Sequence, residues 1–124
     1  MPARPDEFTN HVLEQLCALR DVTAARLFGG VGIKSGDAMF ALVMRGVLYF
    51  ATDDESRTLY EQMGSRCFSY ETRTKVVRTK FFEVPADLLE DRDRLLVFAR
   101  KAVGVARKTA AARTPRRRVS AQRP

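Results

Sequence analysis

A chain of 124 residues has room for one domain, and an apolar fraction of 45% with eight Phe marks a folded core rather than a disordered polymer. The longest apolar run of the body, Ala38 to Met44, is too short to cross a bilayer, and the start Met1-Pro2-Ala3-Arg4-Pro5-Asp6-Glu7 has no apolar signal stretch. These features exclude a membrane partner and lead to the expectation of a cytoplasmic protein. The net charge of +7 is split unevenly: thirteen Lys/Arg against fifteen Asp/Glu leave −2 over Met1–Ala99, whereas nine Lys/Arg and no acid leave +9 over Arg100–Pro124.

Phe8, Val12, Leu16 and Leu19 recur at the spacing of one helical face and predict a first helix over about Asp6–Leu19. His11 falls beside that stripe. Strand signals follow at Thr23–Phe28 and Val31–Lys34, a tight turn at Ser35-Gly36-Asp37, and a longer strand at Ala38–Met44. Arg45-Gly46 is a two-residue hairpin connection, and Val47–Ala51 completes the hairpin. Both alternating sets of this hairpin are apolar, which predicts cover on both faces, by helices or by a second copy of the chain.

Thr52-Asp53-Asp54-Glu55 reads as a capping box with Thr52 at the cap, opening a second helix that runs to about Met63. Two strands, Ser65–Tyr70 and Lys75–Val84, flank a polar turn. Pro85 ends the sheet, and a third helix starts near Glu90 or Asp91, buries Leu95, Phe98, Ala99, Ala102, Val103 and Ala106, and places Arg107 and Lys108 in its last turn. The expectation is an α+β domain over 1–108, an antiparallel sheet of about five to six strands with three helices. A basic C-terminal tail over 109–124 is too poor in large apolar residues to order itself when unbound.

Chemistry-bearing motifs are few. Gly29-Gly30-Val31-Gly32 leads from strand to strand, whereas a phosphate cradle opens a helix, so these glycines read as a tight reversal or bulge. The acids Asp53, Asp54 and Glu55 are accounted for by a helix N-terminus. Cys17 and Cys67 have no ligand-spaced partners and read as two buried thiols. No catalytic, metal or cofactor site is identified, and the protein is expected not to be an enzyme. The tail differs: Arg107, Lys108, Arg113, Arg116, Arg117, Arg118 and Arg123 suit phosphate backbones by counterion release. With no aromatics among them, base stacking by the tail is not indicated.

The segment Arg26-Leu27-Phe28-Gly29-Gly30-Val31-Gly32-Ile33, followed by a turn and Met39-Phe40-Ala41-Leu42, resembles the N-terminal domain of the TfoX/Sxy family. Leu48-Tyr49-Phe50, Phe68-Ser69-Tyr70 and Phe82-Glu83-Val84-Pro85 are similar to that family's later landmarks, with Phe50-Ala51-Thr52 departing from its usual Lys. The likeness covers roughly Phe8 to Val103. It implies an α+β fold with an antiparallel sheet, no enzymatic activity, and motif residues Arg26, Phe28, Gly29, Gly30 and Gly32 with structural roles. Full-length members are regulators of natural competence thought to act with the cyclic-AMP receptor protein at promoters, and carry a second, helical domain that this sequence is read as lacking. The expected partners are therefore DNA through the tail, a transcription factor, or a second copy in a homodimer, the alternative function being a protein-interaction module with no nucleic-acid role.

Overall fold

The computed structural model describes the backbone of residues 5–27 and 29–122 and the side chains of 7–27 and 29–110. In chain order the elements are α1 (Pro5–Gln15), β1 (Val22–Leu27), β2 (Gly30–Ser35), β3 (Ala38–Met44), β4 (Val47–Ala51), α2 (Asp54–Gln62), β5 (Cys67–Glu71), β6 (Val76–Glu83), α3 (Ala86–Leu89) and α4 (Arg92–Gln122). The α+β expectation holds, with six strands and with the short α3 added to the three predicted helices.

The strands form one antiparallel sheet in the order β1-β2-β3-β4-β6-β5. Four strands follow as a meander; β5 and β6 then form a second hairpin whose later strand docks on β4, so β5 becomes an edge. The β3–β4 turn is Arg45-Gly46 with φ of 52° and 76°, the left-handed pair that matches the twist of a two-residue hairpin. A bulge shifts the β2–β3 register: Ile33 pairs with Ala41 and Lys34 with Met39, leaving Phe40 as the extra residue. Phe40 and Ala41 are in consequence both fully buried, although neighbours on a regular strand point to opposite faces.

Every long helix packs on the same face. α4 lies over β3 and β4, α2 over β6, and α1 and α3 against α4. The core joins Phe40, Leu48, Phe50 and Phe82 of the sheet to Leu95, Ala99, Ala102 and Ala106 of α4, with Val12 and Leu16 of α1. The small α4 residues let the helix sit close above the Phe40–Phe50 ring pair, whose centroids are 6.2 Å apart. Tyr60 of α2 meets Phe98 of α4 edge-on at 5.8 Å. Gln15 Nε2 donates to the Leu89 carbonyl at 2.8 Å, and Arg92 donates to Gln15 Oε1, tying α1 to the α3–α4 corner.

The cover predicted on both faces of the hairpin is thus supplied by helices on one face only. The capping box is displaced by one residue. Asp53 is the cap, its carboxylate accepting from the Ser56 N–H at 2.8 Å while the Ser56 hydroxyl oxygen accepts from the Asp53 N–H at 3.0 Å. Thr52 is instead held against the sheet: its N–H and its hydroxyl both donate to the Lys80 carbonyl. α1 ends four residues before the expected Leu19, and the turn that follows leaves Cys17 exposed rather than buried.

The hydrogen bonds from Ser56, backbone first and hydroxyl second, hold the Asp53 carboxyl below its usual range. A depressed carboxyl pKa stabilises the fold above the unfolded-state value and loses that effect as pH falls through the folded one. Asp53→Ala should cost about 1 kcal/mol at neutral pH, read as a drop of roughly 4–8 °C in melting temperature. Thermal melts down the pH scale should show this gap narrowing as the parent's carboxylate protonates.

Candidate nucleic-acid interface

The predicted cations from Arg107 to Arg118 fall within α4, which continues to Gln122 rather than ending at the expected Arg107-Lys108 turn. Arg107 and Lys108 are exposed there; the side chains of Arg113, Arg116, Arg117, Arg118 and Arg123 lie outside the described residues. The segment 109–124, expected to be disordered when unbound, is helical over its described backbone: α4 continues through it to Gln122, and Thr109 Oγ1 donates to the Val105 carbonyl at 3.2 Å. Arg107 Nη2 donates to the Ser35 hydroxyl at 2.9 Å, which in turn donates to the Arg20 carbonyl at 3.0 Å. Arg107 is therefore pinned to the end of β2 and forms part of the body. Among the described residues the ion pairs are those of Arg57 with Asp54 and Glu61 and of Lys101 with Asp53 and Glu55, so no carboxylate neutralises Arg107 or Lys108 there.

The glycine motif divides into two roles. Gly29 has φ of +77° and makes the reversal between β1 and β2. Gly30 and Gly32 lie within β2, opposite Met44 and Leu42. A Cβ on Gly32 would fall 2.6 Å from Met39 Sδ, and one on Gly30 would collide with the Val43 carbonyl oxygen and with Met44 Sδ. The bare backbone is the bed on which two methionine side chains lie. Phe28 is outside the described residues; Arg26 is exposed on the edge strand β1.

Those methionines, with Leu27, roof the sheet face that has no helix. Leu42 is only 4% exposed although no helix covers it. Beyond Met44 the same face opens into a groove of about 980 Å³ between the β3–β4 turn and the β5–β6 hairpin. Tyr49 and Phe68 rings stand 5.1 Å apart, and Phe68 and Tyr70 6.3 Å. β6 separates β4 from β5, so the Tyr49 and Phe68 rings meet across it. A register shift between Cys67 and Ser69 re-aims Phe68. Arg45 and Arg66 line the same groove, as do Glu71 and Glu83. Burial chiefly, then Glu83, raises the Tyr49 phenol pKa, with Arg45 and Arg66 opposing.

A second groove of about 480 Å³ runs between α2 and α4, with Leu59 and Val97 exposed beside it and Lys101 on its rim. Burial pushes the Tyr60 phenol pKa well up, so that side chain is neutral. His11 is exposed on α1. Cys67 is half-buried rather than buried as expected and donates to the Thr79 carbonyl at 3.1 Å, and both thiols are free. The described residues contain no His/Cys/Asp/Glu group suited to a metal, and no described helix is long and apolar enough to cross a membrane. The groove on the open face escapes sequence reading because its rings come from strands that are not consecutive in the sheet. The alternation Arg66, Phe68, Tyr70 is the local signal that points to it.

A family model described as the TfoX N-terminal domain matches residues 14–106. Among curated proteins the chain is similar to the DNA transformation protein TfoX1 of Aliivibrio fischeri (strain ATCC 700601 / ES114), with 34% identity over 71 residues. That alignment covers 57% of this chain and 34% of the relative, so it spans about a third of the relative's length.

The two strand glycines should respond differently to substitution. Gly30→Ala meets backbone and is expected to cost about 2–3 kcal/mol; Gly32→Ala meets a flexible thioether and about 1 kcal/mol is expected. Urea melts of both variants check the order; equal losses would contradict the roles given to the two positions.

Proposed function

The chain belongs to the TfoX N-terminal domain family, and from that premise we propose that it is a non-enzymatic, cytoplasmic regulatory or accessory protein in a DNA-linked process, of the kind the family name and its DNA transformation relative suggest. The body docks a protein partner, a transcription factor, and the tail adds affinity for DNA without reading sequence. The observation that carries this reading is the segregation of charge: −2 over Met1–Ala99 and +9 over Arg100–Pro124. A near-neutral body gains little from phosphate, whereas a segment carrying five arginines and no acid releases counterions wherever it touches a backbone.

A second reading is a protein-interaction or self-associating module with no nucleic-acid role, favoured by the exposed Leu59, Met63 and Val97 around the α2–α4 groove. Light scattering at dilute concentration separates the self-association version, since a strict monomer removes it.

Deleting 109–124 removes five arginines. Duplex affinity should fall, and the slope of log K against log salt should flatten by up to about four to five units. Absence of binding by both the full chain and the deletion at low salt would refute the DNA-linked reading.

A further inference from the structure

The open sheet face carries chemistry that the tail does not. Tyr49, Phe68 and Tyr70 form a contiguous row of rings, with Tyr70 41% exposed at one end. Arg45 of the β3–β4 turn and Arg66 at the start of β5 line the same groove. We propose that this face binds single-stranded nucleic acid, stacking about two or three unpaired bases on Tyr49, Phe68 and Tyr70 while Arg45 and Arg66 take the phosphates. The proposal deepens the DNA-linked reading but rests on different residues.

Three observations select this occupant. Aromatic rings on a sheet accept any base by its π-face, and guanidinium groups beside them supply the phosphate contacts. Around Leu42, only 4% exposed, the face is already closed by its own side chains, and the large apolar residues left exposed along the groove are Tyr70 and Val76, which is little dry surface for a second copy. Glu71 and Glu83 in the groove balance the two arginines. The site therefore gains little from backbone charge alone and favours a strand that offers bases. A duplex, whose bases are already stacked, is left to the tail.

Fluorescence anisotropy on the full chain tests this with three probes: an oligothymidylate of roughly ten nucleotides, an abasic strand of equal length, and a duplex. The oligothymidylate should bind roughly five-fold to a hundred-fold tighter than the abasic strand. Tyr70→Ala should remove most of that difference without changing abasic binding, and Tyr70→Trp should restore it. Arg45→Asn places a residue suited to the left-handed turn, so it should melt no lower than the parent yet bind oligothymidylate more weakly, separating binding from folding. Removing 109–124 should weaken duplex and abasic binding most, while the oligothymidylate keeps the affinity that the rings supply.

Equal binding of oligothymidylate and abasic strand, or no effect of Tyr70→Ala, overturns the proposal and leaves the tail reading standing. No binding of any probe at low salt overturns both. A dimer that Tyr70→Ala dissolves while strand affinity is unmoved assigns the face to a second copy and also overturns it.

Discussion

The fold depends on the seating of α4 above the Phe40–Phe50 pair. Phe40 and Phe50 come from adjacent strands, both fully buried, and the α4 positions above them are Leu95, Ala99 and Ala102. Truncating a ring of this kind typically costs about 3–5 kcal/mol, a large share of a small domain's stability. The same contact sets the rest of the geometry. It commits the helices to one face, directs the end of α4 past Ser35, and leaves the opposite face to be closed by strand side chains alone.

That opposite face is closed by an uncommon division of labour. Gly30 and Gly32 give up side chains so that Met44 and Met39 can lie on β2, and Leu42, paired with Gly32, is buried on the same strip of sheet. Methionine suits this work because an unbranched thioether adapts to an irregular bed. The closure stops where the glycines stop. Past Met44 the face is aromatic and charged rather than aliphatic, and there the groove opens.

The sequence made β3 and β4 legible to the residue, because a continuous apolar run broken by Arg45-Gly46 admits one hairpin register. The family likeness at Arg26–Ile33 and Met39–Leu42 was equally legible and agrees with the matched span of 14–106. The helix cap moved from Thr52 to Asp53 because Thr52 is held by Lys80, a partner 28 residues away that no local pattern reveals. The glycines were read as a tight reversal or bulge, which fits Gly29, whereas Gly30 and Gly32 serve packing across β2 and β3. Cys17 looked buried only while α1 was taken to continue through it. Among the predicted cations, Arg107 proved to be tied to Ser35, a contact across 72 positions.

On the proposed reading, the molecule separates two kinds of affinity: long-range attraction from the arginines of 109–124, and short-range contact from a groove on the uncovered side of the sheet. Backbone amide NMR of the full chain, titrated with a short oligothymidylate, tests that separation most directly. The account predicts shift changes at Tyr49, Phe68, Tyr70 and the neighbouring Arg45 and Arg66, together with the tail resonances, while the α2–α4 groove stays still. Changes confined to the tail, or centred on Leu59 and Val97, would contradict it.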